Sequence, residues 1–292
     1  MRCFGIVQCL VIVSVVSLEG CAQSDEDVVR RYQAAAERGD AEAQYDLGVL
    51  YANGEGVEQD NEEAARWFRA AAEQGRAVAQ YDLGVLYANG EGVEQDNEEA
   101  VRWYRAAAEQ GNAGAQYNLG WMYLNGLGVA KDDEEAVRWF HAAAENGNEG
   151  AQFNLGVMYA NGEGVAEDDA EAVRWYRAAA ELGAADAQTS LGVMYANGEG
   201  VAEDDAEAVR WYRMAAEQGY ASAQYILGTM YANGEGVVRD DAEAYAWIGT
   251  AAAQGYGGTV EILQALRGEM TPAQVESAVA LAREYREKYV TR

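Results

Sequence analysis

A single repeating distance constrains this chain more than any other feature. A Leu-Gly pair recurs with its glycine at Gly48, Gly84, Gly120, Gly156, Gly192 and Gly228, always 36 residues apart. Tyr45–Ala64 is identical to Tyr81–Ala100, and Leu155–Arg177 is identical to Leu191–Arg213. A strict period of this size marks a stacked-repeat fold, in which one small unit recurs and neighbours bury each other's apolar faces. Six full units fill 40–255 (40–75, 76–111, 112–147, 148–183, 184–219 and 220–255). A half-unit, 26–39, precedes them: Glu26–Gly39 follows the pattern of Glu62–Gly75, with Arg31 where the later unit has Trp67.

Each unit reads as two helices. In the first, Ala43, Leu47, Leu50 and Tyr51 fall at helical spacing and predict helix A over 41–53. Gly48 sits in its middle, where glycine costs ~1 kcal/mol against alanine. Its recurrence predicts that a neighbouring backbone or ring approaches there. Asn53-Gly54 stops the helix, because glycine accepts the left-handed cap conformation. After the turn, Asp60 is placed to cap helix B, with Glu63 completing a capping box. Helix B then directs Ala64, Trp67, Phe68 and Ala71 inward until Gly75. The expected fold is therefore an all-α solenoid.

The C-terminal stretch 256–292 departs from the pattern. A helix-A-like segment, Thr259 to Arg267, lacks the Leu-Gly and Asn-Gly marks. Thr271-Pro272-Ala273-Gln274 then has a capping threonine, proline at the first helical position and glutamine to close the box. The final helix should run to about Tyr289 and lay Val275, Val279, Ala282 and either Tyr285 or Arg286 over the last unit as a cap.

Composition removes several functional classes. Aspartate and glutamate number 49 against 21 lysines and arginines, a formal charge of −28. Such a polyanion repels a phosphate backbone, so nucleic acid is not expected as a partner. The only histidine, His141, stands where four other units carry Arg69, Arg105, Arg177 and Arg213, and reads as an exposed substitution on a charged face. Acid runs such as Glu167-Asp168-Asp169 lack calcium-loop spacing and read as helix starts. Arg66, Arg102, Arg138, Arg174 and Arg210 each follow an acid at helical spacing, which predicts surface ion pairs rather than a ligand clamp. Asn53, Asn89, Asn125, Asn161, Asn197 and Asn233 precede glycine, which favours helix ending over a role in holding a bound peptide. No metal site, cofactor or catalytic residue is expected. A hydrolase acting through acids would place a catalytic pair in one unit, whereas here the acids recur in register.

The N-terminus has the pattern of an export signal. Arg2 precedes Phe4–Ser17, a mostly apolar stretch too short to cross ~30 Å of hydrocarbon but suited to a signal peptide. Leu18-Glu19-Gly20-Cys21 resembles the bacterial lipoprotein cleavage box, which implies a signal over 1–20 and lipidation of Cys21. Residues 21–25 would then be a short linker. Ordinary cleavage after Ala22 is the alternative. Cys3, Cys9 and Cys21 are the only cysteines, so the exported chain has no disulfide and relies on packing. The expected location is the bacterial cell envelope, anchored by lipid at the outer membrane and facing the periplasm, or else soluble in the periplasm or secreted.

The unit motif, A-x-A-Q-Y-x-L-G-x-x-Y-x-N-G-x-G-V followed by D-x-x-E-A-x-x-W-x-x-x-A-A-x-Q-G, resembles the Sel1-like repeat, a relative of the tetratricopeptide repeat. That resemblance covers Glu26 to Gly255. It implies a right-handed superhelix whose A helices line a concave face, and a non-enzymatic adaptor role with a protein or peptide partner. On that geometry Trp121 points into the groove, where other units have valine or threonine. The row Tyr45, Tyr81, Tyr117, Phe153 and Tyr225 offers further contacts, with packing between units as the equal alternative. A passive structural spacer is the third reading, and Trp121 argues against it.

Overall fold

The computed structural model describes residues 25–290, which form fifteen helices and no strand. The half-unit is α1 (Asp25–Ala36). Helices A and B of the six units follow in turn: α2 (Ala41–Asn53) and α3 (Asn61–Glu73), α4 (Ala77–Asn89) and α5 (Asn97–Ala108), α6 (Ala113–Asn125) and α7 (Asp133–Glu145). The second half continues with α8 (Glu149–Asn161) and α9 (Asp169–Glu181), α10 (Ala185–Asn197) and α11 (Asp205–Glu217), α12 (Ala221–Asn233) and α13 (Asp241–Ala253). Two helices end it, α14 (Thr259–Glu269) and α15 (Pro272–Tyr289). Helices pack chiefly against their neighbours in the chain, as in an α-solenoid; the strongest pairing that skips a helix is α15 on α13.

Local chemistry sets the helix ends. Gly54 takes the left-handed conformation (φ 72°), and its N–H donates to the Leu50 carbonyl. Asp60 Oδ1 accepts from the N–H groups of Glu62 and Glu63 at 3.0 and 3.1 Å, as expected of an N-cap. The reciprocal half of the box is not made. The Asp60 N–H already donates to the Tyr51 carbonyl, and the Glu63 carboxylate pairs with Arg66 at 2.9 Å.

The recurring mid-helix glycine has the packing reason its repetition implied. A Cβ at Gly48 would lie 2.6 Å from Phe68 Cδ1, and one at Gly156 would lie 2.5 Å from Tyr176 Cδ1. Each helix A thus lies directly against a side chain of its own helix B, a ring in five units and Ile248 in the sixth, and only glycine leaves room. A second close approach joins successive units. Gly92, at φ 67°, sits where a Cβ would be 2.0 Å from the Asn61 carbonyl oxygen, so the turn of one unit rests on the first turn of the preceding helix B.

The core straddles the units. One cluster joins Ala64, Phe68 and Ala71 of α3 to Ala79, Leu83 and Leu86 of α4 and to Trp103 of α5, and the same arrangement recurs along the chain. Helix B of one unit, helix A of the next and the tryptophan of the next helix B therefore form each packing block. Between them runs a buried row absent from the sequence-based expectation: Gln44, Gln80, Gln116, Gln152, Gln188 and Gln224. Gln44 Nε2 donates to the Ala36 carbonyl at the end of α1 (3.1 Å), and its Oε1 accepts from Gln74 at the end of α3 (2.7 Å). One side chain thereby ties together two successive helix B ends, with both of its polar groups satisfied.

The final helix caps the solenoid. Thr271 and Gln274 form the reciprocal capping box and Pro272 opens α15, as the sequence predicts. Ala278 and Ala282 are the fully buried centre of its inner face, with Val275 and Val279 half-buried beside them. Tyr285 and Tyr289 pack on Trp247 at ring separations of 4.5 and 5.4 Å. In α13 the two arginine rows end as Ala246 and Gly249, and the carboxylate that α15 meets there, Glu243, accepts from the Tyr285 hydroxyl at 3.0 Å.

Gly156→Ala tests the ring contact. Alanine gains ~1 kcal/mol in helix propensity, but a methyl driven into Tyr176 costs ~1–3 kcal/mol of overpacking. We expect a net loss of roughly 1 kcal/mol in urea unfolding followed by tryptophan fluorescence. A gain in stability would show that the ring moves aside without cost.

Candidate protein-binding face

The two helix layers differ in charge. Helices α2, α4, α6, α8, α10 and α12 contain no lysine or arginine, and α6 and α12 contain no charged residue at all. The arginines of the units lie mainly on helices B. Arg66, Arg102, Arg138, Arg174 and Arg210 pair with the glutamate three residues earlier at 2.6–3.1 Å. Each also lies over the adjacent tryptophan ring. The other arginine row reaches into the next unit: Arg105 and Arg177 donate to the Tyr123 and Tyr195 hydroxyls at 2.6 and 2.7 Å, and Arg69 and Arg213 engage Tyr87 and Tyr231.

His141 corrects the sequence-based expectation. It is half-buried rather than exposed, lies 3.1 Å from the Tyr159 hydroxyl and stands edge-on to Trp175 at 5.3 Å. It occupies the arginine's place in the inter-unit contact, and burial lowers its pKa, favouring the neutral ring. Its sequence neighbours gave no sign of this, because the partner tyrosine lies 18 residues away.

The acid runs serve as helix starts. Asp168 Oδ1 accepts from the Ala170 and Glu171 N–H groups, both at 3.0 Å. Among the described residues no group of acids, histidines and cysteines is arranged to hold a metal. A cleft of about 810 Å³ between α3, α4 and α5 is lined by Arg69, Tyr87, Asp96, Arg102 and Trp103. These belong to rows of capping, ion-pairing and ring residues that recur in most units. The asparagines before the cap glycines also act locally: Asn53 donates to Glu55 at 3.0 Å, and Asn125, whose unit has Leu127 in that place, donates to the Trp121 carbonyl at 2.9 Å.

The aromatic row on helices A is half-buried between units. Tyr45, Tyr81, Tyr117 and Phe153 lie 5.5–6.0 Å from the helix B ring of their own unit, and Tyr225 lies 4.9 Å from Tyr256. Tyr81 and Tyr117 also lie against the backbone at Gly114 and Gly150 of the next helix A. Trp121 is different: it is 44% exposed, whereas the valine or threonine at its position in other units is half-buried. Cys21 lies outside the described residues.

A further row follows the aromatic one: Asp46, Asp82, Asn118, Asn154, Ser190 and Ile226. It changes from acid to amide to apolar along the solenoid. Burial pushes the Asp82 carboxyl up to about 6, with the neighbouring Tyr45 hydroxyl partly opposing this. Asp46 is also raised, by burial and then by Glu42, while Arg76 acts against them.

The Sel1 repeat model matches 41–75, 77–112, 113–148, 150–183, 185–220 and 221–256. A Sel1 repeat protein from Oxalobacter formigenes is 34% identical over 78% of this chain and 96% of its own, with a TM-score of 0.69. This chain belongs to the Sel1-repeat family. A protective antigen of uropathogenic Escherichia coli strains with the same repeat fold is 30% identical over 90% of this chain and 80% of its own, at a TM-score of 0.48. A search of the curated proteins finds no match. Sel1-repeat proteins are protein-interaction scaffolds, and their fold is typically a non-catalytic binding module. In this Sel1-repeat chain the helix A layer carries no lysine or arginine and bears an exposed tryptophan, Trp121.

Asp82→Asn tests the buried acid. An aspartate raised from 3.8 to about 6 on folding binds its proton more tightly in the folded than in the unfolded chain. Its contribution therefore weakens stability as pH rises from 4 through about 6, and the penalty is complete above that. At pH 7 the variant should be more stable by roughly 1–3 kcal/mol, and the difference should vanish near pH 4. Parallel urea titrations at the two pH values measure this; a constant difference would place the Asp82 carboxylate in water.

Proposed function

We propose that this Sel1-repeat chain is an exported adaptor of the bacterial cell envelope that binds a protein segment on its helix A face, with Trp121 as the anchor. The observation that carries the reading is the asymmetry of Trp121. A structural residue should recur in every unit, whereas this indole occurs once on helix A and stands 44% exposed on a helix without charge. Large, partly exposed aromatic side chains are the usual source of interface energy. The flanking rings of Tyr117 and Phe153 extend the surface while remaining wedged between units. Partner capture from envelope extract on the immobilised chain, followed by titration of the captured protein, tests this. Trp121→Ala should weaken binding by about 2 kcal/mol, roughly thirtyfold, with unchanged helicity by circular dichroism. Unchanged affinity would move the binding surface elsewhere.

The location rests on Arg2, the apolar stretch Phe4–Ser17 and Leu18-Glu19-Gly20-Cys21. Lipidation at Cys21 leaves Cys21 to Ser24, ~14 Å at full extension, before α1. The half-unit would then sit against the headgroups with the solenoid leading away. Ala22 after the cysteine is compatible with the outer membrane. Cys21→Ala should abolish lipid labelling and release the protein into soluble fractions. Retention of that variant in washed membranes would remove the lipoprotein reading.

A further inference from the structure

The buried glutamine row has one open link. In five units the residue at the end of helix B donates a side-chain amide N–H to the glutamine 30 positions earlier: Gln74 to Gln44, Gln110 to Gln80, Asn146 to Gln116, Gln218 to Gln188 and Gln254 to Gln224, at 2.7–3.1 Å. In the fourth unit that position is Leu182, which has no donor. Gln152 is 8% exposed, and its Oε1 is buried without a partner. Its other bond, Nε2 to the Ala144 carbonyl, is 3.4 Å, against 3.0–3.1 Å for the five other glutamines.

The substitution that opens this link also changes the surface. Leu182 is 56% exposed at the end of α9. Gln218 Nε2 reaches across to the Gly183 carbonyl at 3.0 Å, bringing the end of α11 beside it. One turn before Gln218 stands Met214, 40% exposed, where earlier units have Ala70, Ala106, Ala142 and Ala178. Two apolar side chains that break the repeat thus stand exposed near the ends of α9 and α11, and Leu182 belongs to the unit whose glutamine oxygen lacks its donor. Glu145, Glu181 and Glu217, all exposed, end the three successive helices B along this edge.

We propose that this edge, formed by the ends of α9 and α11, is a second docking surface, for a cationic amphipathic segment of a partner protein. Its apolar side chains cover Leu182 and Met214, and its lysines or arginines meet the glutamates. The formal charge of −28 opposes a second copy of this chain as the occupant. The surface lies at helix B ends, whereas Trp121 belongs to helix A, so the two readings stand or fall separately.

The test uses the whole chain and a fluorescent lysine–leucine amphipathic peptide, with its glutamate–leucine counterpart as control. Leu182→Gln restores the missing donor without altering net charge. It should weaken binding of the basic peptide by about tenfold or more, while Trp121→Ala leaves it unchanged. Met214→Ala should weaken it as well, and provides the readout should Leu182→Gln misfold. Hydrogen exchange should show peptide-dependent protection over 181–184 and 214–218. Equal binding by both variants and the parent chain, or protection confined to helices A, would overturn the proposal. Sedimentation showing a dimer of the parent chain that Leu182→Gln dissolves would also overturn it, by assigning the edge to a second copy.

Discussion

The rest of this structure depends on the contact between the mid-helix glycine of each helix A and the helix B side chain packed on it. Phe68, Tyr104, Phe140, Tyr176, Tyr212 and Ile248 occupy that place in turn. The contact sets how closely the two helices approach, and hence the shape that each unit presents to the next. No unit has a closed core of its own. The alanine-rich side of helix B, buried to near zero exposure at Ala64, Ala100, Ala136, Ala172, Ala208 and Ala244, leaves little bulk between the layers. Bulk comes instead from the ring and the tryptophan, which reach across units. Strict repetition of the contact is what lets identical sequences stack without accumulating mismatch.

Burying a row of glutamines along such a stack is costly unless every polar atom is paired. The geometry meets that demand with the ends of helices B, where a carbonyl that already accepts from the following glycine N–H, such as Ala36 or Ala72, takes the glutamine N–H as a second donor. The row therefore serves as a register device: a unit that slipped would strand the glutamine. The single open link, at Gln152, is informative because the other five are closed. The same logic separates structure from function elsewhere. Capping aspartates, tryptophans and arginines recur in every unit or nearly so, and each has a local partner. Trp121, Leu182 and Met214 break the pattern and leave apolar surface in water.

Charge is distributed to match. Acids crowd the first turns of helices B, where they cap and offset the helix dipole, while helices A are nearly neutral. A protein segment approaching the helix A layer meets little local repulsion despite the strongly acidic whole. Asp46 and Asp82 stand out on this layer, half-buried carboxylates where the next units have Asn118 and Asn154.

Period, helix pairs, caps and the closing helix were legible in the sequence, because each depends on residues within one turn or on an exact recurrence. Gly48 was readable as a point of close approach, and Ala246 and Gly249 carried a signal for the cap in the loss of both arginine rows. The partners of side chains that act between units were not legible. That His141 meets Tyr159 and Trp175, that Gln44 is gripped by Gln74, and that Leu182 leaves Gln152 without a donor all depend on how units overlap. Only the tertiary structure decides these, since the stacking rotation brings residues 18 to 42 positions apart into contact. A local pattern fixes where a helix begins; it does not fix which neighbouring helix its side chains will touch.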